Sequence, residues 1–145
     1  GRDMAGAAGE EFRTFDHTGD LGLEVRAGTP ERLYGLAAEA LMAQIALAPH
    51  EAQVRVAVDL DGDDPHDLLI HWLNTALLHG SIERAVWTRV QVHSLTPRRI
   101  VATLEGPRVD PARHTLLREV KAVSHHHLEL DLTPGACRCR LVLDI

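Results

Sequence analysis

Long hydrophobic runs are missing from this 145-residue sequence. No segment approaches the roughly 20 consecutive apolar residues of a transmembrane helix, and the N-terminus lacks the basic and apolar regions of a signal peptide. We therefore expect a cytoplasmic protein that does not contact a membrane.

Cysteine is scarce, because the sequence contains only Cys137 and Cys139. Alternation along a strand would place both side chains on one face, about 7 Å apart, which is poor geometry for a disulfide between them. Such a pair can bind a soft metal, but there is no second cysteine pair to complete the site. The sequence excludes a disulfide scaffold and favours buried, apolar cysteines.

Aromatic residues form only 3% of the chain, and its formal net charge is −6 with histidine taken as neutral. The few aromatic residues show no strand-spaced pair on which unpaired bases stack. A negative chain also repels a phosphate backbone. Direct RNA binding is therefore disfavoured.

The common catalytic signatures are absent as well. The sequence has no G-x-S-x-G elbow, phosphate-binding glycine loop or H-E-x-x-H helix. Their absence argues, though weakly, against hydrolase, nucleotide-binding and metalloprotease chemistry.

The sequence does contain enough apolar residues for one core. Hydrophobic residues make up 45% of it, which suits one globular domain of this length. Residues 1–11 are predicted to be a flexible tail, because Gly1 to Asp3 precede Met4 like an expression remnant and small residues follow. The domain is predicted over residues 12–145.

Hydrophobic periodicity predicts the order of the elements. Alternation indicates a strand after Asp20 and another over residues 54–60. Thr29 and Asp64 are each followed by proline, as expected of a helix N-cap. They predict two helices, which begin after these residues and end near residues 47 and 80. Four or five strands follow, including a hairpin within 86–106 and a terminal strand. The order predicts an α+β domain with two helices packed on a mostly antiparallel or mixed β-sheet.

Two acidic positions stand out at opposite ends of the chain. The stretch DHTGD, residues 16–20, combines two carboxylates with an imidazole, and it fits a turn, a catalytic pair or half of a metal site. Near the other end, Asp144 lies beside Ile145, whose α-carboxylate would add a second anionic group if the chain ends there. Such an oxygen-rich site suits a hard cation, whereas simple fraying is the competing interpretation.

Two further clusters have simpler interpretations. Acidic residues crowd positions 59–67, but Gly62 and Ile70 break the pattern of an EF-hand loop, so a solvated turn and helix cap are favoured. His125, His126 and His127 would alternate in a strand, so at most two share a face. We favour a structural or surface role for them over zinc binding.

Lys121 is the sole lysine, against fourteen arginines. An ammonium differs from a guanidinium in hydration and geometry, so a specific role is one interpretation. An ordinary strand-edge lysine is the other.

Four blocks of the sequence resemble the archease family over residues 12–145, and they occur in the family's order. The blocks are FDHTGDLGLEVRAGTPERLYGLAAEAL, DLLIHWLN, DPARHTLLREVKAVSHHHLEL and RLVLDI. The most specific matches are His17-Thr18-Gly19-Asp20, Arg113-His114 with Glu119-Val120-Lys121-Ala122-Val123, and Asp144. Archeases are small accessory proteins of RtcB-type RNA ligases, which join RNA ends using GTP and a divalent metal.

The resemblance implies a protein that is not itself an enzyme. It would promote ligase guanylylation and multiple turnover in tRNA splicing or RNA repair, and it would meet RNA only through the ligase. It implies an acidic tip at which Asp20, Asp144 and the carbonyl or carboxylate of Ile145 bind a divalent metal, expected to be Ca²⁺. His17 would orient the turn, and Lys121 would act on the ligase or its nucleotide.

Two other functions stay open from the residues alone. The same carboxylates with a metal could activate water in a metal-dependent hydrolase. A general protein chaperone would need a sizeable exposed apolar patch, which the strongly patterned sequence does not indicate.

Overall fold

A computed structural model describes residues 3–5, by their backbone, and residues 9–145. In chain order its elements are β1 (Asp3–Ala5), β2 (Glu11–His17), β3 (Asp20–Ala27), α1 (Pro30–Ala43), β4 (Ala46–Leu47), β5 (Val54–Asp61), α2 (Pro65–Glu83), β6 (Arg89–Thr96), β7 (Arg99–Gly106), β8 (Thr115–Leu116), β9 (Ala122–Val123), β10 (Glu129–Asp131) and β11 (Cys137–Asp144). The predicted α+β class with two helices is confirmed.

Six strands of the described residues form the large sheet, in the order β1-β2-β3-β11-β10, with β9 also paired to β11. A three-stranded sheet has the order β5-β7-β6, and β4 pairs with β8 separately. Every one of these pairings is antiparallel. The terminal strand β11 lies inside the large sheet, between β3 and β10.

The prediction of a flexible tail over residues 1–11 does not hold throughout. β1 pairs with β2, with Met4 opposite Phe12, and Glu11 already belongs to β2 opposite Arg26. A strand of three residues is too short for its periodicity to be recognised. Gly1, Arg2 and residues 6–8 lie outside the described residues.

Both helices begin at their predicted caps. The Thr29 hydroxyl accepts the N–H of Arg32 at 3.1 Å, and the Asp64 carboxylate accepts the N–H of Asp67 at 2.8 Å. The predicted ends are wrong in opposite directions. α1 stops at Ala43, because the next apolar residues enter β4, whereas α2 continues past Gly80 to Glu83.

The hydrophobic core lies between the sheets, and both helices pack into it. Trp72 in α2 donates its indole N–H to the carbonyl of Tyr34 in α1 at 2.9 Å, and both side chains are almost fully buried. Cys137 and Cys139 are buried and free, as predicted, and burial raises the pKa of the Cys139 thiol to about 12. Within the described residues, no helix is long and apolar enough to cross a membrane.

Candidate functional site at one end of the large sheet

The DHTGD stretch forms a tight hairpin between β2 and β3. His17 and Asp20 are the last paired residues, so Thr18 and Gly19 make a two-residue turn. Gly19 has a φ of 74°, which glycine adopts without the penalty of a Cβ atom. The turn holds the His17 ring and the Asp20 carboxylate side by side, with Nδ1 and Oδ2 3.7 Å apart.

Asp144 lies beside Asp20 across the β3–β11 pairing. The last registered pair is Leu143 with Leu21, and the next step of the same register sets Asp144 opposite Asp20. Directly opposed residues have Cβ atoms about 4.5–5.5 Å apart and share a face. Because Leu143 points into the core, the two carboxylates lie on the outer face. The sheet therefore brings together two residues that are 124 positions apart in the sequence.

Lys121 reaches the same end through its backbone. Its N–H donates to the carbonyl of Asp144 at 2.7 Å, and the following residue, Ala122, pairs with Asp144. The Lys121 side chain is exposed. Ile145, which follows Asp144, is 42% exposed. We call Asp20, Asp144, Ile145, Lys121 and His17 the sheet tip.

The oxygen atoms of the sheet tip are the kind of ligand that a hard cation takes. Within residues 9–145, no three side chains of His, Cys, Asp or Glu are grouped as they would be in a metal site. Asp20 and Asp144 supply two carboxylates, and Ile145 can supply a further oxygen. Such all-oxygen ligation is what calcium prefers.

The three consecutive histidines were predicted to alternate in a strand, and this prediction is wrong. Residues 125–127 form a turn between β9 and β10, and His127 has a φ of 64°. The His127 ring packs against that of His17, with centroids 5.1 Å apart. His17 Nδ1 is buried and has no hydrogen-bond partner within the described residues. An imidazole therefore borders the sheet tip from the turn after β9.

Asn74 in α2 holds β9 in place and was missed by the sequence analysis. Its side-chain oxygen accepts the N–H of Val123 at 2.9 Å, and its amide nitrogen donates to the Val123 carbonyl at 3.1 Å. Val123 is buried and faces β11 on its other side. Asn74 thus takes the place of a neighbouring strand. The only signal in the sequence was a polar residue next to the apolar stripe of α2.

A second missed residue, Glu24, is buried on the outer face of the same sheet. Four guanidinium groups surround it, with nitrogen–oxygen distances of 2.9–3.4 Å; they belong to Arg13, Arg26, Arg138 and Arg140. Burial raises the pKa of the Glu24 carboxyl, but hydrogen bonds from Arg13 and Arg138 outweigh it and hold the pKa below its ordinary value. This cluster joins β2, β3 and β11 and supports the strands that carry the sheet tip.

The acidic residues of positions 59–67 make structural contacts, as favoured from the sequence. Asp59 forms a bidentate pair with Arg99 at 2.6 and 2.9 Å. Asp64 caps α2, and the Asp67 carboxylate accepts the N–H of Asp63 at 2.8 Å. These contacts account for three of the carboxylates without a bound ion.

Comparison with known proteins agrees with this architecture. The Archease protein family model matches residues 12–145. The chain is 30% identical to the protein archease of Methanopyrus kandleri, over 92% of this chain and 99% of the relative. It is 27% identical to that of Pyrococcus furiosus, over 93% and 99%. The solution structure of Methanobacterium thermoautotrophicum protein 1598 superposes with a TM-score of 0.75 at 25% identity, covering 92% and 98% of the two chains.

Proposed function

Because the chain belongs to the archease family, we propose that it activates an RtcB-type RNA ligase and does not itself catalyse a reaction. It would promote guanylylation and multiple turnover of the ligase in tRNA splicing or RNA repair, and RNA would be contacted only by the ligase. The observation that supports this proposal is the sheet tip, where Asp20 and Asp144 meet beside an exposed Lys121.

The sheet tip is built to reach into a partner. Asp20 borders a two-residue turn, and Asp144 and Ile145 are exposed at the end of the neighbouring strand. The carboxylates therefore project from a rigid sheet, which positions groups more accurately than a loop does. A divalent metal, expected to be Ca²⁺, would be held by Asp20, Asp144 and an oxygen of Ile145. When bound, it would supply positive charge beside the partner's nucleotide.

Lys121 would add a second positive group to the same end. Its backbone is fixed by Asp144, whereas its side chain is free to extend. A flexible ammonium suits contact with a phosphate or with an acidic side chain of the ligase. The exposed position of Lys121 supports a role in contact with the ligase and not in the core of this protein.

The experiment is a ligation assay with catalytic amounts of a purified partner ligase, GTP and divalent metal. Products per ligase molecule should rise from about one to many when this protein is added. Asp20→Ala and Asp144→Ala should remove that gain while keeping the far-UV circular dichroism of the native protein. Equal turnover with wild-type protein, either variant or no addition would refute the proposal. RNA sealing or GTP hydrolysis by this protein alone would favour an enzyme instead.

A further inference from the structure

Two histidine rings lie together at the sheet tip, one from the β2–β3 hairpin and one from the turn after β9. The centroids of the His17 and His127 rings are 5.1 Å apart, and the ring planes are inclined at 51°. Aromatic rings that only pack against each other prefer offset-stacked or perpendicular arrangements, and this pair adopts neither. Zinc binding was disfavoured because residues 125–127 were expected to alternate in a strand. They form a turn instead, which removes that objection.

The separation of the two rings is the one expected for two ligands of a single ion. A histidine nitrogen binds zinc at about 2.0–2.1 Å, which puts the centroid of its ring roughly 3.2 Å from the ion. Two such rings at a tetrahedral angle have centroids about 5.2 Å apart. The 5.1 Å between His17 and His127 therefore suits one shared ion, once a nitrogen of each ring faces it.

A carboxylate stands beside the first of these rings. Nδ1 of His17 is buried and has no hydrogen-bond partner in the described part of the chain, and it lies 3.7 Å from Oδ2 of Asp20. This distance is too long for a hydrogen bond, and it is close to the roughly 3.4 Å between two ligand atoms of a tetrahedral zinc ion. Both side chains are about one-third exposed, so an ion can reach them from solvent. A bound ion would give the unpaired nitrogen a partner.

His127 is the ligand that must move. No three side chains of His, Cys, Asp or Glu within residues 9–145 are already grouped as in a metal site, so the ion has to draw the His127 ring into place. His127 is exposed, and an exposed imidazole changes rotamer readily. Its backbone is in the left-handed region, with a φ of 64°. Histidine and asparagine are both enriched in that region, which provides a variant that keeps the backbone and removes the imidazole.

We propose that His17, His127 and Asp20 bind a divalent transition ion of the zinc type, with water in the fourth position. Two imidazoles and one carboxylate are ligands that zinc takes, whereas calcium takes oxygen ligands. Asp20 belongs to both this site and the calcium site, so the two ions exclude each other. Zinc thereby removes a carboxylate from the calcium site. The zinc site stands without the proposed function, and only its effect on calcium rests on it.

The test titrates the full chain, free of any polyhistidine tag, with zinc chloride in a calorimeter and with cobalt(II) in a spectrophotometer. We expect one ion per chain and the intense visible absorption of tetrahedral cobalt. Loss of even an outer partner of a zinc ligand costs about 10–100-fold in affinity, so His127→Asn and His17→Gln, which each remove a ligand, should weaken zinc binding at least tenfold. His125→Asn is the matched control, because His125 is exposed in the same run of histidines; it should bind zinc as the wild type does.

The inference is wrong if the wild type does not bind zinc, or if His127→Asn binds it as tightly as the wild type. Similar losses in His127→Asn and His125→Asn would mean that the histidine run binds zinc diffusely, which also excludes the site. The circular dichroism of each variant should match that of the wild type, so that a loss of binding cannot come from unfolding.

Terbium luminescence separates this inference from the proposed function. Zinc should displace terbium from the wild type, and His127→Asn should require a zinc concentration at least about tenfold higher. Zinc that binds the wild type without displacing terbium would contradict the sharing of Asp20. If terbium does not bind at all, the calcium site of the proposed function fails, and the zinc titration still decides the zinc site.

Discussion

Asn74 and Val123 are joined by two hydrogen bonds that together satisfy both backbone polar groups of Val123. β9 is only two residues long and has β11 on one side alone. Without Asn74, the other side of β9 would leave the N–H and the carbonyl of Val123 buried without partners. Each unpaired group would cost about 1–3 kcal/mol. The Asn74 amide presents an acceptor and a donor in the spacing of a neighbouring strand. A helix side chain thus keeps Lys121 and Asp144 at the same end of the sheet.

Replacing Asn74 should therefore destabilise the domain. We expect Asn74→Ala to lower the free energy of unfolding by about 2–4 kcal/mol, since two buried backbone groups lose their partners. Urea denaturation followed by circular dichroism measures the change. Ser81→Ala, at an exposed position of the same helix, should stay within about 0.5 kcal/mol of wild type. An unchanged urea midpoint for Asn74→Ala would show that Val123 is satisfied in another way.

The candidate cation site can be tested without the ligase. Asp20→Asn and Asp144→Asn should each weaken calcium binding at least tenfold, because each removes one of two neighbouring carboxylates. Terbium luminescence with calcium competition provides the measurement. Asp16→Asn is the matched control, since Asp16 is an aspartate next to the same turn, in β2, but alternates to the opposite face from His17 and Asp20. Similar losses for all three variants would indicate a diffuse charge effect and not a defined site.

Much of the fold follows from local patterns, whereas β2, with seven residues, and several very short strands were not predicted. Alternation and caps predict β3, β5, α1, α2, the β6–β7 hairpin and β11, because each buries a periodic face. β1, β4 and β8 have only two or three residues each, so no period can be recognised in them. Their pairing depends on distant neighbours that only the folded chain supplies.

The dependence on distant neighbours also explains which site residues could be identified from the sequence and which could not. Asp20 and Asp144 were each noted as acidic candidates, and resemblance to a family combined them into one site; the register of β11 against β3 sets them opposite each other. Glu24 gave no signal, since it occupies an outward position in an alternating strand and is covered by arginines, three of which come from other strands. The histidine run was assigned to a strand because a turn with His127 in the left-handed region has no glycine to mark it.

Lys121 should be dispensable for stability. Its side chain is exposed, and the hydrogen bond that anchors it uses only the backbone. We expect Lys121→Ala to shift the melting temperature by less than about 2 °C, while ligase turnover falls. Lys121→Arg separates charge from geometry, because it retains the positive charge on a bulkier, planar group. A large fall in melting temperature with full activation would contradict the assignment.

The Glu24 cluster should make stability depend on pH. In the folded protein the pKa of the Glu24 carboxyl is held below its ordinary value. The stabilising contribution of this carboxylate is therefore present above about pH 4.5 and is lost as the pH falls through the folded pKa. We expect Glu24→Gln to cost about 1.5–3 kcal/mol at pH 7 and to flatten the loss of stability below pH 4.5. Urea midpoints at pH 7, 5, 4 and 3 measure both effects. Glu129→Gln is the control, since Glu129 is 60% exposed and lies 3.6 Å from Arg140; its acid profile should match wild type.

Gly106, the last residue of β7, should tolerate no side chain. A Cβ atom added there would collide with the carbonyl oxygen of Val86, and a backbone atom cannot rotate away as a side chain can. The two segments meet because Thr88 donates its N–H to the carbonyl of Glu105 at 3.0 Å, which draws the backbone before β6 onto the end of β7. We expect Gly106→Ala to destabilise the domain by about 3 kcal/mol through overpacking, or to prevent soluble expression. Gly28→Ala is the matched control, because a Cβ atom there meets no neighbour within 4 Å; its stability should rise by up to about 1 kcal/mol. Similar urea midpoints for the two variants would mean that the segment before β6 yields readily, and that the approach of Val86 to β7 is not a constraint on the fold.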